Sequence, residues 1–128
     1  MYELTVEAEF CAAHAITIAG VKEPNHGHNW RVTVTVSGPT LDTDGLLCDF
    51  HEVDGALKTV IAPFHNSDLN AQPAFARTNA SAENVARHIC EGVAALLRGR
   101  LVRDAKVASV RVTESVGCAA TYRAGGHT

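Results

Sequence analysis

From Tyr2 to Phe10 the chain alternates apolar and polar residues, the period of a strand with one buried face. Trp30 to Val36 repeats the pattern, and in both segments the apolar residues bear even numbers. The connection from Ala15 to Asn25 joins the two strands as a long hairpin. Gly38-Pro39 and Asp44-Gly45 then punctuate the path to a helix opened by Asp49-Phe50. Its apolar stripe is Val53, Ala56, Leu57, Val60, Ile61 and Phe64, with Pro63 at its end. The segment 65–79, with its Asn, Asp, Pro and Thr residues, reads as a loop. Ser81 fits the N-cap of a second helix, Glu83 lies in its first turn, and Gly99 fits its stop. Val85, Ile89, Val93, Leu96 and Leu97 form its stripe. Strands Val107–Ser115 and Gly117–Arg123 close the chain. The order ββααββ predicts an α+β domain, a four-stranded antiparallel sheet with two helices on one face. The opposite face of the second strand, with Arg31, Thr33, Thr35 and Ser37, suits water or a wet channel in an assembly.

The bulk numbers narrow the options. A chain of 128 residues is read as one domain, 1–128, with a modest core. A net charge of −3 gives no footprint for nucleic acid. No apolar run approaches the ~18 residues of a membrane span. The acidic N-terminal strand does not resemble a signal peptide. Cys11, Cys48, Cys90 and Cys118 are scattered and read as reduced thiols in a cytoplasm.

The candidate chemistry lies in three histidines. His14 follows Phe10-Cys11-Ala12-Ala13, and His26 and His28 stand in His26-Gly27-His28-Asn29. All three share the even parity of the buried strand faces. If the strand pairing runs through Ala12 to His14 and back to His26, the three imidazoles point to one side. Three neutral imidazoles with an open fourth position suit a catalytic zinc. Read singly, each is a loop or core histidine; together they predict a metal site. Glu114 continues the apolar side of Val110 and Val112, where a carboxylate needs a hydrogen-bond partner or a cation unless the strand end is already in solvent. Glu23, three residues before His26, is a candidate ligand or general base, or a solvated loop residue. His65 is a candidate proton carrier, or a helix-end histidine held by the dipole. Cys11 reads as structural, and His51, His88 and His127 as surface positions. Lys22, Arg77, Arg87 and Arg123 are cations able to touch an anion, with no spacing that singles one out.

These segments resemble the zinc motif of the 6-pyruvoyltetrahydropterin synthases and of the related 6-carboxytetrahydropterin synthases of the queuosine pathway. The resemblance continues through Gly45-Leu46-Leu47-Cys48-Asp49-Phe50, His65-Asn66-Ser67-Asp68-Leu69-Asn70, Ser81-Ala82-Glu83-Asn84 and Val112-Thr113-Glu114, in order along nearly the whole chain. It implies a tunnelling fold in which trimer barrels stack as a homohexamer with sites between subunits. It implies zinc on His14, His26 and His28, and a small-molecule pterin substrate, 7,8-dihydroneopterin triphosphate. Glu114 matches the glutamate that accepts hydrogen bonds from the pterin ring.

The chain also departs from that family. Lys22 stands where the family has its usual cysteine, and Phe64 stands where an aspartate precedes the catalytic histidine, here His65. A histidine without its carboxylate loses control of its tautomer, unless Asp68 folds back to replace it. Some paralogues, from malaria parasites and diverse bacteria, carry a glutamate shortly before His-Gly-His, and Glu23-Pro24-Asn25-His26 resembles that arrangement. Those paralogues are associated with cleavage to 6-hydroxymethyl-7,8-dihydropterin for folate synthesis. The resemblance therefore implies a zinc-dependent lyase, with Glu23 as base and His65 as acid. The alternatives are a pterin- or purine-binding protein that keeps zinc without catalysis, and a same-fold enzyme on a different substrate.

Overall fold

The computed structural model describes residues 1–125. Its elements are β1 (Tyr2–His14), β2 (Thr17–Ile18), β3 (Val21–Lys22), β4 (His26–Gly38), α1 (Phe50–Ile61), β5 (Ser67–Asp68), α2 (Ala82–Leu96), β6 (Lys106–Ser115) and β7 (Cys118–Arg123). The predicted α+β order is present, with additions in the loops. β1 and β4 pair antiparallel without interruption from Tyr2↔Gly38 to His14↔His26. Every pair of numbers sums to 40, so even residues face even residues and one side of the ribbon is apolar throughout. Phe10, Trp30, Val32, Val34 and Val36 are accordingly buried.

β6 joins the other edge of β4, with Val112 against Val32 and Val110 against Val34. The register shifts between Thr35 and Val36, which moves odd-numbered Val107 opposite Val36 and onto the core side. β7 follows through a tight turn in which Gly117 has φ +86°, a conformation glycine adopts without steric cost. The sheet order is β5-β1-β4-β6-β7. The sheet thus has a fifth strand that the sequence pattern does not predict: β5 runs parallel to β1, pairing Ala12 with Ser67 and Ala13 with Asp68.

Both helices cover the even side of the sheet. Asp49 caps α1 by accepting from the His51 N–H, and Ser81 caps α2 by accepting from the Asn84 N–H. α1 buries Val53, Ala56, Leu57 and Ile61; α2 buries Val85, Ala86, Ile89, Cys90 and Val93. α1 stops at Ile61, because Pro63 opens a 3-10 turn, Ala62–Phe64, that still delivers Phe64 to the core. Leu96, expected in the α2 stripe, is exposed where the helix runs out, and Leu97 takes the buried place. His88, expected at the surface, is half-buried, its ring 5.5 Å from that of Phe64 and 5.7 Å from that of Phe75. Its position next to Ile89 on the flank of the stripe explains the difference. His51 is exposed as expected, and His127 lies outside the described residues. Among the described residues no helix is long and apolar enough to cross a membrane.

The connection between β1 and β4 is a second small hairpin, β2–β3, turned at Ala19 and Gly20, both with positive φ. Asn79 ties it to the body of the protein, accepting from the Thr17 N–H at 2.9 Å and donating to the Thr17 carbonyl at 3.0 Å. Asn70 holds the Ala15 N–H and carbonyl in the same way, both at 2.8 Å. Two amides therefore replace the strand partners that the chain lacks as it leaves β1.

Candidate metal centre

The last residue of β1 and the first residues of β4 meet at one end of the sheet. The pair His14↔His26, with His28 opposite Ala12, sets three imidazoles on the same side. Their ring centroids lie 4.6, 4.7 and 5.3 Å apart, each pair edge to face, so the rings converge on a point instead of stacking. Trp30 forms the floor, stacked on Phe10 at 5.8 Å and anchored by its Nε1–H to the Ala12 carbonyl.

Backbone carbonyls fix two of the tautomers. His14, only 1% exposed, donates from Nδ1 to the Ala80 carbonyl at 2.7 Å. His26 donates from Nδ1 to the Pro24 carbonyl at 3.0 Å. Carbonyls only accept, so in the neutral rings each Nε2 carries its lone pair, the state that binds a metal. Neither Ala80 nor Pro24 is visible to sequence reasoning in this role, since every residue has a carbonyl. Burial is the main force that lowers the pKa of His28, opposed by the neighbouring Glu114 and reinforced by His26 and His14. A lowered pKa keeps its imidazole neutral near pH 7, as a ligand must be.

Glu114 enters from β6. On the β7 side, Thr113 pairs with Ala119 and Ser115 with Cys118, so Glu114 is the extra residue of a bulge. Bulges re-aim side chains, and this one accompanies a carboxylate turned to the imidazoles. Its Oε1 lies 3.0 Å from His28 Nε2 and 3.4 Å from His14 Nε2. Yet among the described residues both buried Nε2 atoms lack a hydrogen-bond partner, although the carboxylate oxygen is near. The ligand atoms of His14, His26, His28 and Glu114 all lie within 4.8 Å of one another. Imidazole nitrogens with a carboxylate fit a divalent ion of the zinc type, and a cation is what two buried, unpartnered nitrogens call for.

The other predicted residues stand around this cluster. Glu23 Oε1 accepts from the Ile16 N–H at 3.0 Å and lies 3.8 Å from His26 Nε2. It pins the base of the small hairpin while keeping its charge beside a ligand. His65 lies beside the edge of β1 that β5 continues, where Nδ1 accepts from the Cys11 N–H at 3.2 Å, and it is not part of the cluster. Asp68 directs its carboxylate to the Asn70 N–H at 2.9 Å, and Phe64 is packed in the core, so neither orients His65. Lys22 is exposed on β3. The Cys11 thiol reaches Asn29 Oδ1 at 2.7 Å on the face away from the helices. There an open cleft of about 330 Å³ passes Cys11, Ala13, Gly27, His28, Asn29 and Asn66.

Solved structures share the whole arrangement of the chain. A 6-pyruvoyl tetrahydropterin synthase of Caenorhabditis elegans matches with a TM-score of 0.76 at 20% identity, covering 98% of each chain. That of Plasmodium vivax matches at 0.77 and 21%, covering 94% of this chain and 96% of its own. The P. vivax protein has also been solved with its catalytic residue, a glutamate, replaced by alanine or by cysteine. These likenesses establish the fold. A protein of Archaeoglobus fulgidus with the provisional name 6-carboxy-5,6,7,8-tetrahydropterin synthase is 33% identical over 67 residues, 52% of this chain and 57% of its own length. The chain thus aligns with little more than half of that relative. The family model for 6-pyruvoyl tetrahydropterin synthase matches residues 3–125. The α+β tunnelling fold is therefore present, and the chain belongs to the 6-pyruvoyl tetrahydropterin synthase family.

Proposed function

We propose that the protein is a zinc-dependent lyase of pterin metabolism acting on 7,8-dihydroneopterin triphosphate, with His14, His26 and His28 as the metal ligands. The observation that carries this reading is the pair of buried, unpartnered Nε2 atoms converging beside a carboxylate. Bound there, zinc supplies Lewis acidity to the oxygens of the substrate side chain. The protein's own groups do the rest. Glu114 accepts the pterin's amino and amide N–H groups on its two oxygens and so sets the ring. Glu23, fixed by Ile16 at the rim, takes a proton from the side chain. The likeness to a P. vivax protein with a catalytic glutamate supports Glu23 as base and favours carbon–carbon cleavage to 6-hydroxymethyl-7,8-dihydropterin. The carboxy and pyruvoyl products are the other outcomes of the same site.

His65 serves as the acid from a neighbouring chain. Among the described residues, the outer edge of β1 is free outside its short pairing with β5, as is the outer edge of β7. Joining β1 of one chain to β7 of the next continues the sheet into a barrel. Because β1 ends and β7 begins at the same end, His65 then approaches the next chain's Glu114. The assembly we propose is the trimer barrel stacked as a homohexamer, built on the single domain 1–128. Four unpaired thiols support a cytoplasmic location.

A second reading has its own support. Among the described residues of its own chain His65 has no carboxylate to orient it, as expected of a pterin- or purine-binding protein that no longer turns substrate over. Anaerobic incubation of zinc-loaded protein with 7,8-dihydroneopterin triphosphate, followed by mass spectrometry, separates the two. A 6-hydroxymethyl product supports Glu23 chemistry; tight binding with unchanged substrate replaces the lyase by the binder.

A further inference from the structure

We propose that Glu114 is a fourth ligand of the metal in the substrate-free protein, and that a pterin binds by taking this carboxylate off the ion. The inference rests on the three-histidine centre proposed above and adds a closed resting state to it. Four ligands at zinc bond lengths of about 2.05 Å stand about 3.3 Å apart at the corners of a tetrahedron. Glu114 Oε1 stands 3.0 Å and 3.4 Å from His28 and His14 Nε2, on either side of that spacing, and the ligand atom of His26 lies within 4.8 Å of the others. Neither Nε2 atom finds a hydrogen-bond partner among the described residues, so the contact is not a hydrogen bond. Nor is it a stable pair without a cation. The His14 proton is committed to Ala80 through Nδ1, so its Nε2 lone pair faces a carboxylate oxygen. Two electron-rich atoms held this close need positive charge between them.

Glu23 does not compete for the position. Its Oε1 is held by the Ile16 N–H and lies 3.8 Å from the one imidazole it approaches. Glu114, by contrast, is the unpaired residue of a bulge at a strand end and is 28% exposed, which leaves its carboxylate free to swing. A carboxylate that receives both N–H groups of a pterin edge uses both oxygens, so Oε1 cannot serve the metal and the ring together. The ring thereby opens a coordination position as it docks, and water at the metal is held back until substrate is present.

Cobalt(II) in place of zinc gives the test, because its visible bands report coordination number. The wild-type protein and Glu114→Gln are loaded with Co²⁺, and affinity is measured by competition with a chelator. The expected result is an intense four-coordinate spectrum for the wild type. Glu114→Gln should show weaker bands, with affinity lower by about tenfold or more. Glu114→Asp, with its oxygens drawn back by one methylene, should fall between them. Unsubstituted pterin, which has no side-chain hydroxyls to reach the metal, should move the wild-type spectrum toward that of Glu114→Gln. Equal spectra and equal affinities for wild type and Glu114→Gln, both folded by circular dichroism, overturn the fourth ligand alone. A wild-type spectrum that does not respond to bound pterin overturns the exchange. Failure of the wild type to bind Co²⁺ removes the three-histidine centre itself, and this inference with it.

Discussion

The Nδ1 of His14 donates to the carbonyl of Ala80 at 2.7 Å, across 66 positions of sequence. This bond joins the end of β1 to the residue before the cap of α2 and aims Nε2 of a fully buried ring at the other imidazoles. The helix layer therefore sets the tautomer of a ligand on the sheet.

Removing one imidazole should empty the centre without unfolding the chain, provided the exposed member is chosen. His26 is the most exposed of the three histidines. His26→Ala should lose about 100-fold or more in zinc affinity and the metal-dependent part of its thermal stability. Its metal-free melting temperature should stay close to that of the wild type. Isothermal titration with zinc, with thermal melts in chelator, checks both; unchanged affinity removes His26 from the ligand set.

Glu23→Gln separates structure from charge. Glutamine keeps an oxygen for the Ile16 N–H, so the hairpin base and the zinc content should be preserved. A general base contributes about 10²–10⁴ in rate, and turnover should drop in that range. Full turnover in the variant would assign the proton transfer elsewhere. Glu23→Ala should also lose about 1 kcal/mol of stability with the hydrogen bond.

Mixed oligomers test the shared site. His65→Ala and Glu114→Ala should each be inactive alone. Co-refolded or co-expressed, they should recover part of the wild-type activity, since some interfaces then combine an intact His65 with an intact Glu114 of the neighbour. Absence of recovery in verified mixed assemblies would put both residues to work within one chain.

Burial against Phe64 and Phe75 lowers the pKa of His88, and Glu91 opposes the shift. The unfolded chain then binds the proton more readily than the folded one. Stability is present above the ordinary histidine value of 6.5 and is lost as pH falls from there through the lowered folded pKa. Metal-free protein should melt at lower temperature at mildly acid pH than at neutral pH, and His88→Phe should reduce that slope. Identical slopes in parallel thermal melts would assign the acid sensitivity to other groups.

Much of this architecture is legible in residue parity. Because β1 and β4 pair with sums of 40, the even numbering of Phe10, His14, His26, His28 and Trp30 translates directly into one face. The departures come where side chains or bulges replace periodicity. Asn66, with φ +57°, and Asp68, capping Asn70, build β5 and the turns after it from local hydrogen bonds that leave no repeating pattern. His88 is polar by type, but aromatic rings beyond its own helix decide its burial. The bulge at Glu114 is set by how β7 returns, which the alternation within β6 does not encode. The substitutions Lys22 and Phe64 are plain in the sequence. Only the structure adds that Phe64 is core and that His65 rests on the backbone of Cys11.

X-ray absorption at the zinc edge of the purified, zinc-loaded protein reads the ligand shell itself. One zinc per chain is expected in a shell of nitrogen and oxygen at about 2.0–2.1 Å with the outer scattering of imidazole rings, lost in His26→Ala. Zinc that does not stay bound, or a shell with sulfur at about 2.3 Å, would contradict it.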